Sequence, residues 1–338
     1  MRAWVVPSGG RSIEDLHQVS RPDPIARSGQ VVVRVRAAAL NRRDEAIATG
    51  TYFGRTVSRE LVPLSDGAGE VIAVGDRVTR FKPGDRVVAT FFQADPGGPQ
   101  SGPREAMGSP LDGMLIEKIA LYEDGLIPIP DGQSFEEASC LPCAGVTAWN
   151  ALMVAGRPTR AGDTVLVLGT GGVAVFALQF AVAAGARVIT TSSSDSKLER
   201  VRLLGASAGV NYRRTPDWAR EVLKLTDGRG VDCVVELGGV GTLEQSFEAL
   251  APGGKVCLIG VMTGRRADIN PYALMWKTGT LHGVRVGTKE TFEEMTRAIE
   301  INQIRPVIER TFRFDQAIDA FQCLASGDFI GKIVISGQ

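Results

Sequence analysis

The stretch Thr164-Val165-Leu166-Val167-Leu168-Gly169-Thr170-Gly171-Gly172-Val173-Ala174 decides how this chain is read. Five apolar or β-branched residues make a short buried strand. The glycines make a turn, and Val173 to Ala184 continue as an apolar helix closed by Gly185. The turn fits G-x-G-x-x-G/A, with Ala174 in the last place. Gly169 permits the tight turn, Gly171 lets backbone approach a pyrophosphate, and a small third residue packs helix on strand. Helix N–H groups then face the phosphates, so Gly169, Thr170, Gly171, Gly172 and Val173 are candidate dinucleotide-binding residues. Taken as one apolar run, Val165 to Ala186 has the length of a membrane span. The glycines interrupt it, and Asp163 and Arg187 bound it, so strand, turn and helix explain it better.

Around this unit helices and strands alternate. Arg187–Thr191, Val231–Val235, Lys255–Ile259 and Thr280–Val286 are predicted strands. Helices are predicted over Asp195–Leu204, from Thr215-Pro216 onward, and over Leu243–Leu250. Such alternation predicts a doubly wound parallel sheet. Before about Ser134 the chain is β-rich. Gln30 to Ala38 alternates Val with Arg, Gly67–Val78 and Pro83–Val88 are further strands, and Phe91 to Leu111 reads as an irregular loop. Thr291–Ile301 is a predicted helix and Lys332–Ile335 a last strand.

An acidic residue at the end of the second strand, roughly 20 positions beyond the glycines, would bind ribose hydroxyls and repel a 2′-phosphate. This chain has Thr190-Thr191-Ser192-Ser193-Ser194 there, followed by Asp195 and Lys197. Hydroxyls of Ser192 and Ser193 donate to a phosphate and Lys197 neutralises it, while Asp195 suits a helix start. The reading is NADPH, so the expected cofactor is NADP(H).

Composition sets outer limits. In 338 residues, 38 Lys and Arg balance 38 Asp and Glu, which supports neither a nucleic-acid nor an anionic-membrane partner. The N-terminal apolar run is too short for a secretory signal, so the chain reads as soluble and cytoplasmic. Five scattered cysteines read as thiols rather than a disulfide framework. Cys140 and Cys143 form a Cys-x-x-Cys pair without the thioredoxin-like context that redox work requires.

Three segments together resemble the medium-chain dehydrogenase/reductase superfamily over almost the whole chain: Gly75 to Val87, the glycine motif, and Gly331-Lys332-Ile333-Val334. The resemblance implies an α/β fold: a GroES-like β-rich catalytic domain (1–125), a Rossmann domain (126–288) and a C-terminal segment (289–338) completing the first. It also implies substrate held in a cleft against a nicotinamide. Zinc-dependent members hold their metal on Cys, His and Cys, where this chain has Asn41, Ser65 and Cys143. Neutral Asn and Ser replace two ligands, and the lobe that carries four cysteines would fall near Phe91–Leu111, where there are none. His17 and His282 lie far from these motifs. The resemblance is therefore to the zinc-independent, quinone oxidoreductase-like branch, and no metal is expected.

Leu40-Asn41-Arg42-Arg43-Asp44 with Thr51-Tyr52 is similar to that branch's Asn-x-x-Asp and downstream Tyr, although Ala46 stands where a second tyrosine is common. The resemblance implies that Asn41 orients an acceptor oxygen, Tyr52 donates a hydrogen bond or proton, and Asp44 holds the loop or the nicotinamide-side network rather than acting as a base. Thr147 matches a residue facing the nicotinamide, and Tyr212 one near the 2′-phosphate. Gly238 and Gly260 match strand ends where the dinucleotide lies, and Lys332 a basic residue reaching the adenosine phosphate. The implied activity is hydride transfer to a quinone, enone or related conjugated carbonyl, in a homodimer paired near Leu281–Val286. Alternatives are an alcohol or aldehyde dehydrogenase, an enoyl-thioester reductase using Arg42, Arg43, Arg55 and Arg59, and a non-catalytic NADPH-binding sensor.

Overall fold

The computed structural model describes residues 1–93 and 105–337. In chain order its strands are β1 (Arg2–Val5), β2 (His17–Ser20), β3 (Gln30–Ala39), β4 (Asp66–Val74), β5 (Arg86–Ala89), β6 (Phe92–Gln93), β7 (Glu105–Ala106), β8 (Lys118–Tyr122) and β9 (Leu126–Pro128). Next come β10 (Thr164–Leu168), β11 (Arg187–Ser192), β12 (Ala208–Asn211), β13 (Val231–Glu236), β14 (Leu250–Leu258), β15 (Thr280–Gly283), β16 (Ile308–Arg313) and β17 (Lys332–Ser336). The chain divides into two compact units, Met1–Cys143 with Thr288–Gln338, and Ala144–Gly287. The first therefore extends past residue 125: β9 pairs with β5, Ile127 opposite Val88, which ties the segment after 125 to the first sheet.

In the first unit the order is β16-β17-β3-β4-β5-β9, with β8 also on β3. Alternating valines make β3 the central strand: Val31, Val33 and Val35 are buried with Leu64, Met114, Phe321 and Ile333 in one apolar core. Gly69 is needed where β4 crosses β3, because a Cβ there would sit 2.1 Å from the Arg34 carbonyl oxygen. Register then does something the sequence does not announce. Ala39, near the end of β3, lies opposite Asp66 on β4, and also opposite Val334 on antiparallel β17. Just past the end of β3 the Leu40 N–H bonds the Ile333 carbonyl at 3.0 Å, which brings Lys332 beside Asn41.

The predicted strand over Pro83–Val88 begins at Arg86. Lys82 to Asp85 form a turn in which the Asp85 carboxylate accepts from the Lys82 N–H at 2.9 Å. Of the loop expected over Phe91–Leu111, β6 and β7 pair as a small ribbon, and 94–104 lie outside the described residues. His17 is exposed on β2.

The second unit is a parallel sheet ordered β12-β11-β10-β13-β14-β15. Every residue of β10 is buried, as expected for a strand covered on both faces. The apolar stretch Val165–Ala186 resolves into β10, the glycine turn and the helix Gly172–Ala183. Among the described residues no helix is long and apolar enough to cross a membrane. The helix expected from Thr215-Pro216 starts at Trp218 instead, because the Thr215 N–H closes a turn onto the Asn211 carbonyl at 2.9 Å.

Candidate active site

The second unit supplies a seat made largely of backbone. Gly169 ends β10 at φ +84°, a conformation that L side chains resist, and Gly171 caps the helix Gly172–Ala183 with extended backbone. A Cβ on either glycine would meet no heavy atom within 4 Å, so the turn faces open space. Helical bonding begins with Val175 N–H on the Gly171 carbonyl at 2.9 Å, which leaves the N–H groups of Gly172, Val173 and Ala174 directed out of the helix end. Ala174 is buried, as close helix–strand packing requires, and so is Thr170. This arrangement fits a dinucleotide pyrophosphate.

Beside it, Gly169 N–H bonds the Thr191 carbonyl at 2.9 Å, joining the turn to the end of β11. Ser192 is buried, and its hydroxyl accepts from Ser194 N–H at 3.3 Å. Ser194, not Asp195, caps the helix Asp195–Leu203, its hydroxyl accepting from Lys197 N–H at 3.4 Å. The Asp195 carboxylate accepts from Asn211 Nδ2 at 2.7 Å and pairs with Arg214 at 2.5 Å. Its charge is therefore answered within the protein. Tyr212 N–H bonds the Ser192 carbonyl at 3.1 Å, which sets the backbone of that half-exposed residue beside the end of β11.

Gly238 and Gly260 follow the ends of β13 and β14. Both glycines have packing reasons: a Cβ on Gly260 would lie 1.9 Å from the Leu237 carbonyl oxygen, and one on Gly238 2.3 Å from Thr242 Oγ1. Buried Glu236 organises this loop. Its carboxylate accepts from the N–H groups of Gly238 (2.7 Å) and Gly239 (3.0 Å), and from the hydroxyls of Thr242 and Ser246. Thr147 is buried on the helix Val146–Trp149.

The first unit supplies a polar centre made of side chains. Lys332, 2% exposed, donates to the Leu40 carbonyl and to Asn41 Oδ1, each at 2.6 Å, and lies 3.7 Å from Asp66 Oδ2. Asn41 Nδ2 donates to Ser65 Oγ at 3.3 Å, Ser65 Oγ donates to Asp66 Oδ1 at 2.7 Å, and Cys143 N–H donates to Asp66 Oδ2 at 3.2 Å. Burial raises the Asp66 carboxyl, and the Lys332 ammonium opposes that rise. The expectation that Lys332 reaches an adenosine phosphate is corrected here: its ammonium is buried in the first unit, held by two acceptors and paired with Asp66.

Asp44 accepts from Asn41 N–H at 2.8 Å, fixing the start of the helix Arg42–Ala48. Burial pushes its carboxyl up to about 6, against the pull of Arg43. Arg43 donates to the carbonyls of Met107 (2.8 Å) and Ser109 (3.1 Å), and lies over the rings of Tyr52 (5.3 Å) and Phe91 (4.9 Å). Arg42 pairs with Glu45 at 2.8 Å and Arg59 with Asp112 at 2.9 Å, so these two guanidiniums, like that of Arg43, have partners within the first unit. Sequence reasoning missed Asp66, Arg43 and Lys332 as members of this centre. Adjacency to Ser65 and Asn41 was the one local signal for the first two, and Lys332 had none.

The comparisons with known proteins agree with this construction. Residues 27–131 match the alcohol dehydrogenase GroES-like domain, and 172–300 the zinc-binding dehydrogenase family. A zinc-type alcohol dehydrogenase-like protein of Schizosaccharomyces pombe is 41% identical over 91% of this chain and 90% of its own. A quinone oxidoreductase of Pseudomonas aeruginosa is 32% identical over 97% and 96%. The crystal structure of an NAD-dependent alcohol dehydrogenase superposes with a TM-score of 0.91 at 32% identity, covering all of both chains. The chain belongs to the medium-chain dehydrogenase/reductase superfamily, a family of NAD(P)H-dependent oxidoreductases. Within it, the chain combines a GroES-like domain with a Rossmann-like domain.

A catalytic zinc, which some of these names imply, does not fit the residues present. At the three expected positions Asn41 is held between Lys332 and Ser65, Ser65 donates its hydroxyl proton to the Asp66 carboxylate, and burial with the nearby Asp66 pushes the Cys143 thiol far up, toward its protonated form. Lys332 adds a fixed cation that a divalent metal would have to displace. Among the described residues no group of three His, Cys, Asp or Glu is placed to hold a metal.

Proposed function

We propose that this protein is an NADPH-dependent reductase of quinones, enones or related conjugated carbonyls that works without a catalytic zinc. The observation that carries this reading is the ammonium–amide–hydroxyl–carboxylate cluster of Lys332, Asn41, Ser65 and Asp66, which supplies hydrogen-bond donors but no Lewis acid. Alcohol oxidation depends on stabilising an alkoxide, which zinc does well. Reduction of a conjugated acceptor spreads charge over an enolate or quinol, which hydrogen-bond donors can stabilise.

A bound dihydronicotinamide supplies one hydride, and the acceptor takes up one proton on oxygen or on the α-carbon. The chain's own part is to seat phosphates at Gly169–Val173, to orient the acceptor oxygen through Asn41, and to hold Tyr52 by the Arg43 guanidinium. NADPH is favoured over NADH by the hydroxyls of Ser192 and Ser193, by Lys197, and by the Asp195 carboxylate being engaged with Asn211 and Arg214. A second copy of the chain is the proposed partner. Edge strand β15 carries half-exposed Leu281, and Met275 and Trp276 just before it are exposed, so pairing there would cover apolar surface and a free sheet edge.

The test is oxidation of NADPH and NADH by metal-stripped protein with quinone, enone, aldehyde and enoyl-thioester acceptors. Turnover of a quinone or enone with NADPH is the expected result. Activity confined to aldehydes, and only after zinc is restored, would overturn it. Sedimentation showing monomer alone at working concentrations would remove the dimer.

A further inference from the structure

Four side chains in the first unit form a ring of three hydrogen bonds closed by an ion pair. Lys332 donates to Asn41 Oδ1, Asn41 Nδ2 donates to Ser65 Oγ, Ser65 donates to Asp66 Oδ1, and the other Asp66 oxygen faces Lys332 at 3.7 Å. Every bond has a direction imposed by chemistry. An ammonium only donates and an ionised carboxylate only accepts, so the amide and hydroxyl between them have no choice of orientation. An Asn side chain otherwise turns about its last torsion with little preference. Here its carbonyl is committed to the cation and its NH2 to Ser65.

The ring also has one outlet. Ser65 and Asp66 are fully buried and Lys332 is 2% exposed, while Asn41 alone among the four retains partial exposure. Anything that approaches the ring from solvent meets Asn41. The strand register explains why four separated positions converge: neighbouring strands β17, β3 and β4 bring Lys332, Asn41 and Asp66 to one end of the sheet.

We infer that Lys332 is a positioning residue for Asn41. It locks the carboxamide with its oxygen turned inward and polarises the NH2, whose remaining hydrogen serves the oxygen of the acceptor. Ser65 and Asp66 close the ring and keep the ammonium from being a lone buried charge. This inference rests on the proposed acceptor reduction, in which Asn41 meets the substrate oxygen.

The experiment uses Lys332→Met, Lys332→Arg, Asn41→Ala and the double variant Lys332→Met/Asn41→Ala. We measure kcat and KM with a quinone or enone acceptor, and NADPH affinity by quenching of protein fluorescence. Lys332→Met should lower kcat roughly 10- to 100-fold, the range expected for losing a buried charge-assisted hydrogen bond, with NADPH affinity within about twofold. Lys332→Arg should recover part of the loss. In the Asn41→Ala background, Lys332→Met should change kcat less than about twofold, because residues acting through one another are not additive.

Additive losses would overturn the inference, and so would a tenfold weaker NADPH affinity with kcat unchanged. Should Lys332→Met strand Asp66 and fail to fold, Lys332→Met/Asp66→Asn removes both charges and tests the same point. A readout without turnover separates the inference from the activity it rests on. The Asn41 side-chain amide signals in a ¹H–¹⁵N spectrum should move in Lys332→Met and stay in Lys255→Met, which removes a buried ammonium from the other unit. Unmoved signals would sink the inference even in an active enzyme. Moved signals in a protein that reduces no conjugated acceptor would sink the functional reading and leave the positioning intact.

Discussion

The two units solve the same problem, presenting polar groups from a dry interior, by different means. In the second unit the candidate nucleotide seat is backbone: a left-handed Gly169, an extended Gly171 and the N–H groups that open a helix. In the first unit the polar centre is side chain, with Lys332, Asn41, Ser65, Asp66, Asp44 and Arg43 drawn from separate strands and a helix start. Each unit also buries an ammonium. Lys255 in β14, 5% exposed, donates only to the carbonyls of Ala151, Leu152 and Ala155, whereas Lys332 donates to one carbonyl and one side-chain amide. The first ammonium binds carbonyls at the end of the helical turn Asn150–Val154. The second holds a group that chemistry can use.

If this contrast is right, Lys255→Met should be a stability variant and nothing more. It leaves three buried carbonyls without a charged donor and should cost about 4 kcal/mol in urea unfolding, with kcat retained in whatever protein stays folded. A kinetic defect matching that of Lys332→Met would erase the distinction between the two lysines.

Asp44 sharpens the side-chain half. Its folded carboxyl is pushed up to about 6, above the ordinary 3.8, so the native state binds that proton more tightly than the unfolded chain. The stability it contributes is complete below about pH 4 and is lost as pH rises through about 6, a change of about 3 kcal/mol. Asp44→Asn keeps an acceptor for Asn41 N–H and cannot ionise. The stability of wild type relative to Asp44→Asn should therefore fall between pH 4 and 7. A constant difference across that range would mean that Asp44 is ionised throughout.

Gly171→Val tests the backbone half. With φ −76° and nothing within 4 Å of its Cβ, the substitution should leave the melting temperature within about 3 °C while weakening NADPH binding about 100-fold, because the side chain fills the space a pyrophosphate would take. Unchanged affinity would move the cofactor elsewhere. The smallest expected effect is Ser193→Asp, which should lower the NADPH-to-NADH preference about tenfold by setting a carboxylate against the 2′-phosphate. A preference left untouched would show that Ser193 does not face the adenosine ribose.

The two halves were not equally legible. The glycine turn could be read because its chemistry is local: strand, turn and helix are contiguous, and period and residue size announce each. Asn41, Ser65 and Cys143 could be singled out only by resemblance, and reading them one at a time said what they were not. Nothing local marks Asp66 beside Ser65, Arg43 reads from sequence as a substrate contact, and Lys332 reads as a phosphate ligand. No periodicity marks these residues, because their partners lie up to 292 positions away.

By itself, then, the sequence determined an α/β chain with a β-rich part and a dinucleotide turn, since periodicity and glycine placement act over a few residues. It also determined that two of the three customary zinc ligands are absent, a matter of residue identity alone. Only the tertiary structure decided that Lys332 stands beside Asn41, that Asp195 is answered by Asn211 and Arg214, and that Arg43 lies over Tyr52. Strand register and burial set those relations. Both depend on which strands lie side by side, and in a sheet joining residue 39 to residue 334 no local pattern carries that information.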